Sequence, residues 1–149
     1  MKFRITVGPE REPEVTAAML QAGFEVDDEA DLVVLETDRY ASHLSVRNEA
    51  GDRLHLAVEE IVSIESFGHS VVVHSADASY QTGERLYQLC LTLDPQKFIR
   101  VSNSVIIQRS KVKKIIPSLS MKFVLVMADG SQVDVTRSYY NSFKSFLGI

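Results

Sequence analysis

Three short polar clusters hold the side chains of this 149-residue chain that are best equipped for chemistry: Phe67-Gly68-His69-Ser70, Ser102-Asn103-Ser104 and Thr136-Arg137-Ser138. The last two interrupt β-rich apolar sequence, in F-I-R-V-S-N-S-V-I-I-Q-R from Phe98 to Arg109 and in V-D-V-T-R-S-Y-Y from Val133 to Tyr140. Ser and Asn hydrogen-bond their own backbone and tolerate turn dihedrals, so such clusters form tight connections that present a side chain outward. Arg pairs with guanine and Asn with adenine at base edges in the DNA major groove, while hydroxyls and Lys hold phosphates. Each residue also has a plainer reading. Asn103 fits a solvated hairpin turn, His69 an ordinary turn, and Arg137 a pairing with Asp134 or with a helix end.

An enzyme would have to be assembled from His43, His55, His69, His74, Cys90 and scattered carboxylates. None of the spacings H-E-x-x-H, C-x-x-C, G-x-S-x-G or G-x-x-x-x-G-K-[ST] occurs. His69 and His74 flank the strand-like V-V-V on opposite sides, a poor geometry for sharing a metal. The expectation is a non-enzymatic protein without cofactor or metal.

The net charge of −4 conceals a division along the chain. Residues 1 to 40 hold four Lys/Arg and ten Asp/Glu, residues 41 to 96 three and eight, and residues 97 to 149 nine and two, or −6, −5 and +7. A polyanion is steered to the last third and repelled by the first. The alternative for Lys111, Lys113 and Lys114 is a gatekeeper role on an edge strand. There is no apolar run of about eighteen residues and no charged-then-apolar leader, so neither a membrane span nor a signal peptide is expected. The single cysteine, Cys90, excludes an internal disulfide and fits a reducing cytoplasm. Its place in the apolar run Leu86 to Leu93 reads as a buried small hydrophobe.

The elements that must position the clusters follow from periodicity. Met1 to Val7 alternates like a strand, Glu14 to Ala22 carries Val15, Ala18, Met19 and Ala22 at helical spacing, and D-L-V-V-L-E from Asp31 reads as a buried strand. This β-α-β segment, residues 1 to 41, is too short to bury a sufficient core and is expected to dock or dimerise. A polar boundary is read from 38 to 42, and residues 42 to 149 then become mainly β. Strands are expected around 44–46, 54–58, 61–66, 70–74, 98–101, 105–108, 112–116, 121–127 and 132–135. A helix over Gly83 to Leu93 and a closing one over Ser138 to Leu147 complete a small antiparallel sandwich or meander. Asp129-Gly130 is a type I′ hairpin signal.

The pattern F-x-R-x-x-N-S-x-x-I, a basic K-x-x-x-I segment, a hydrophobic strand, D-G and T-R-S-Y before an amphipathic helix resembles the LytTR DNA-binding domain of bacterial response regulators. The resemblance extends upstream through I-V-S-I-E-S-F-G-H-S-V-V-V-H, Ile61 to His74, and covers Ser42 to Ile149. It departs from the family at Ser102, where a His is common, and at Gln108, where an Asn is usual. It implies sequence-specific binding of double-stranded DNA by loops, on a bent duplex. His69, Asn103 and Arg137 are then base contacts, with Ser70, Ser104, Arg109, Lys111, Lys122 and Ser138 as backbone contacts. It further implies a transcriptional regulator, with a membrane protein as a further candidate partner; because one set of loops spans few base pairs, a homodimer on two direct half-sites is expected. D-L-V-V-L-E itself resembles the receiver strand that ends in a phosphorylated Asp, with Glu36 at that place. Gly8-Pro9 stands where a receiver carries its acidic pair, which argues against phosphorylation control. The rival reading from another class is a protein-interaction module with an acidic N-terminal face and no DNA target.

Overall fold

The computed structural model describes residues 1–36 and 40–149, and these fold as two units, Met1–Tyr40 and Ala41–Ile149. Of the polar stretch from 38 to 42, residues 38 and 39 lie outside the described residues.

The first unit contains β1 (Lys2–Thr6), α1 (Glu12–Gln21), β2 (Glu25–Val26) and β3 (Leu32–Leu35), a parallel sheet in the order β2-β1-β3. Pro13 in the first turn of α1 has its φ preset for a helix start, and Glu12 and Glu14 complement the positive end of the helix dipole. No residue of α1 is buried, and Leu20 is 55% exposed. The strand expected to be buried is only half-buried, with Leu32 46% exposed, because so short a unit has too little chain to cover its own sheet. β2 was not expected, since two residues show no period. Glu36 Oε2 accepts the Gly8 N–H at 2.9 Å and Oε1 lies 3.4 Å from Arg11 Nε, so this strand-end carboxylate ties down the loop after β1.

In the second unit, β4 (His43–Arg47), β5 (Arg53–Ala57), β6 (Ile61–Phe67), β7 (Ser70–Ser75) and β8 (Ser79–Thr82) precede α2 (Leu86–Thr92). Then come β9 (Phe98–Arg100), β10 (Val105–Gln108), β11 (Val112–Ser118), β12 (Lys122–Met127), β13 (Gln132–Val135) and α3 (Tyr140–Leu147). Seven strands form an antiparallel sheet in the order β5-β4-β8-β7-β6-β10-β9, and β11-β12-β13 form a second one. The unit is therefore the mainly β, antiparallel arrangement with two short helices that the sequence predicts.

Two cores lie on opposite faces of the large sheet. Ile61, Ile64 and Ile106 join α2, through Leu86 and Leu89, in the first. Val62, Val105 and Ile107 join Phe123, Leu125, Val135 and Phe143 in the second, between the two sheets and α3. Strands buried on both faces lose the apolar/polar alternation of a half-exposed strand, which is why V-I-I-Q of β10 is buried at all four positions. A register shift between Ile61 and Ser63 lets Ile61 and Ile64 face the same core despite their odd spacing. Gln108, buried at the end of β10, donates through Nε2 to the carbonyls of Val58 (3.1 Å) and Ile61 (2.6 Å). Each carbonyl would cost about 1–3 kcal/mol if buried unpaired.

Three expectations are corrected. α2 spans only Leu86–Thr92, because Arg85 is extended and the chain leaves the helix again at Leu93. Cys90 is exposed, on the same helix side as the exposed Tyr87 and Leu91, since Leu86 and Leu89 are the residues turned to the core. Its thiol is nevertheless pushed up by partial burial, with Arg100 acting the other way. The β12–β13 connection is not type I′: Gly130 alone takes a positive φ (85°), and its N–H donates to Met127 O at 2.9 Å while Met127 N–H donates to Ser131 O at 2.8 Å. That pattern is a type I turn closed by a left-handed glycine. Ser131 stabilises it by donating its backbone N–H (3.0 Å) and Oγ (2.6 Å) to Asp129 Oδ1. Partial burial pushes the Asp129 carboxyl up, but these bonds outweigh it and hold the group below the ordinary carboxylate range.

Candidate nucleic-acid interface

Each polar cluster sits where a strand ends. Phe67 pairs with Ser70 across a two-residue turn, and Gly68 has φ 59° while His69 has no positive φ. This is the type II′ geometry, which requires glycine at the first position and leaves His69 exposed at the tip of the β6–β7 hairpin, with Ser70 exposed beside it.

The Ser102-Asn103-Ser104 turn between β9 and β10 is built by its own polar groups. Ser102 Oγ accepts the Ser104 N–H at 3.2 Å, and the Arg100 guanidinium donates to the carbonyls of Ser102 (3.2 Å) and Asn103. Ser102 is buried whereas Asn103 is exposed. The Ser104 carbonyl accepts the Ser66 N–H at 2.8 Å, fastening this turn to the β6–β7 hairpin. Thr136 N–H donates to Val101 O at 3.0 Å, and the Tyr139 hydroxyl donates to Asn103 Oδ1 at 3.1 Å, fastening it to the segment after β13. Arg137 and Ser138 are exposed in that segment, and among the described residues Arg137 makes no salt bridge, with Asp134 or any other partner.

Backbone bonds thus bring all three clusters to one edge of the sandwich. Lys122 joins them, because its neighbour Phe123 pairs with Val135, immediately before Thr136. Arg109 and Lys111 do not. They follow β10 at its other end, at least about 13 Å away for four strand residues at 3.3 Å each. Arg109 lies over the Phe146 ring with 5.6 Å to the centroid, and Lys111 O accepts the Ala128 N–H at the far end of β12. The positive charge of the last third is thereby shared between two edges. A groove of about 480 Å³ runs beside the site, lined by Glu65, His74, Asp129 and Asp134 as well as Ser102 and Thr136. Its carboxylates, Glu65, Asp129 and Asp134, make it unfavourable for a polyanion.

Two residues that the sequence does not mark as site residues support the Asn103 turn. Arg100 and Tyr139 stood inside the F-x-R and T-R-S-Y patterns, and the fold makes them the clamps of the Asn103 turn. Tyr139→Phe removes one hydrogen bond and no packing. It is expected to weaken binding to a preferred duplex about 3- to 10-fold, the equivalent of about 1 kcal/mol, with thermal stability unchanged. Equal loss on preferred and random duplexes would show that Tyr139 does not position a base-reading side chain.

A two-sheet β module presenting polar loops from one edge is the class of structure described. The LytTr DNA-binding domain family matches residues 52–148, and the chain belongs to that family. It is similar to the transcriptional regulatory protein LytR of Staphylococcus aureus, 26% identical over 102 residues, 68% of this chain and 42% of that protein. The sensory transduction protein LytT of Bacillus subtilis is 27% identical over 120 residues, 80% of this chain and 50% of its own length. LytT of Enterococcus faecalis is 26% identical over 144 residues, 95% of this chain and 58% of its own. The chain spans about half the length of these curated relatives. Among solved structures, a LytTr DNA-binding domain from Bacillus cereus shares the fold with a TM-score of 0.69 at 23% identity, covering 73% of this chain and 99% of that one. Among the described residues no cluster of His, Cys, Asp or Glu could hold a metal, and no helix is long and apolar enough to cross a membrane.

Proposed function

We propose that the protein is a transcriptional regulator that binds double-stranded DNA sequence-specifically, reading the major groove through the loops at one edge of its sandwich. The observation that carries this reading is the bonded edge itself: Ser66–Ser104, Thr136–Val101 and Tyr139–Asn103 tie three separate loops into one surface. Asn103 and Arg137 suit adenine and guanine edges, and His69 extends the same surface. Ser70, Ser104, Lys122 and Ser138 suit phosphates. Arg109 and Lys111, at the other edge, are left out of this interface.

The Ala41–Ile149 unit has its own two cores, so a fragment from residue 42 to 149 should fold and retard the duplexes that the full chain binds. A folded fragment that binds none of them would place binding elsewhere. Salt-insensitive or absent retention by both would return the rival reading, a protein-interaction module.

One loop edge spans few base pairs, so the protein acts as a homodimer on two direct half-sites about one helical turn apart. The partly covered Met1–Tyr40 unit is the candidate for docking or dimerisation. Inserting about five base pairs between mapped half-sites rotates one by half a turn and should abolish tight binding. Unchanged affinity would mean that the two sites are read independently. The protein acts in the cytoplasm, with a membrane protein as a candidate source of its input.

A further inference from the structure

The hairpin joining β11 and β12 ends in a tip that the cores do not explain. Leu119 is 88% exposed, and Met121 and Ile116 on the same hairpin are 44% and 37% exposed. Ser120 and Met121 take φ values of 65° and 57°, the left-handed region that a Cβ disfavours. Exposed apolar residues scattered singly are ordinary, but three on one hairpin, held up by two unfavourable backbone positions, form a local feature.

Its location decides what it fits. Ser118 pairs with Lys122, and Phe123 with Val135, so the tip projects from the same edge as Arg137 and Asn103. Lys122, exposed, stands at its foot. At a strand spacing of about 4.8 Å, Leu119 lies roughly 5–10 Å outboard of the end of β13, after which Arg137 follows. The major groove is about 12 Å wide. With Arg137 in that groove, Lys122 faces the phosphate wall that bounds it and Leu119 faces the adjoining minor groove. A lysine suits the wall, and an apolar side chain suits the space between base steps, which it enters by partly unstacking them.

We propose that Leu119 is a wedge that enters the minor groove beside the groove read by Arg137 and kinks the duplex there. This rests on the DNA-reading edge proposed above. The test uses the full chain with two probes: the duplex that the wild-type chain selects from a random library, and a random duplex of equal length. Affinity and end-to-end fluorescence transfer, which reports bending, are measured for wild type, Leu119→Ser, Leu119→Phe and Arg137→Ala. Leu119→Ser should bind the selected duplex about tenfold more weakly and bend it less, while Leu119→Phe keeps both properties. As an exposed position, its thermal midpoint should stay within about 2 °C of wild type. The proposal is overturned if Leu119→Ser binds and bends like wild type, or if it loses both duplexes equally with the bend intact. It is also overturned if the substitution changes the mass of the free protein and leaves the bend alone, since the tip would then be a contact between copies. A wild-type chain that binds no duplex would overturn the DNA reading itself, whatever Leu119 does.

Discussion

Arg137→Ala is expected to bind the selected duplex roughly 10- to 100-fold more weakly than the wild-type chain, while its weak binding to random duplexes stays largely in place. A bidentate contact to guanine discriminates by about 1–3 kcal/mol, and Asn103→Ala should lose a comparable amount at an adenine. Both side chains are exposed, so neither substitution disturbs a core. Lys122→Ala provides the contrast. A point charge on a phosphate acts through counterion release, about 0.9 units of salt slope per phosphate neutralised, so both duplexes should weaken by a similar factor and the salt dependence should flatten. A salt titration of both duplexes separates the two patterns. If Arg137→Ala loses specific and random binding in equal proportion, Arg137 holds a phosphate and base reading lies elsewhere on the edge.

Phe143→Ala should remove about 3–5 kcal/mol from the stability of the Ala41–Ile149 unit, a large share of the 5–15 kcal/mol by which such domains are stable. The ring is fully buried and packs 5.5 Å from Phe123, which in turn stacks on Tyr140 at 4.8 Å. These contacts seat α3 on the small sheet, and the chain leading into α3 carries Arg137 and Tyr139. Loss of the ring should therefore loosen the loop edge that carries Arg137 before it unfolds the sheet. With two units in the chain, a single unfolding curve is not a two-state measurement, and amide exchange resolved by residue is the suitable probe. The expectation is faster exchange in α3 and the second core. A loss below about 1 kcal/mol would mean that α3 does not depend on this contact.

Much of this protein is legible in its residues taken in order. Apolar alternation and turn chemistry mark most strands of the Ala41–Ile149 unit, because pleating and left-handed turns impose their rules on neighbours in sequence. The polar clusters and the basic final third are likewise local properties of composition. β2 and β8 are not legible in sequence, because a two-residue strand and the polar S-Y-Q-T segment have no apolar period. Asp129-Gly130 marks a turn in the sequence but not its type, since the two Ser131 hydrogen bonds hold the aspartate out of the left-handed region.

What only the tertiary structure decided is which of these pieces meet. Tyr139 reaches Asn103 across 36 positions, and Gln108 satisfies a carbonyl 50 positions upstream. Arg109 and Lys111 follow the Asn103 turn closely in sequence yet stand at the opposite edge, while Lys122 and Arg137, further along, return to it. The reason is antiparallel geometry: each strand carries the chain to the other edge, so a residue's edge depends on where it falls in its strand and on the pairing register. Register is set by long-range core packing and bulges, which are properties of the folded sheet and not of any stretch of sequence.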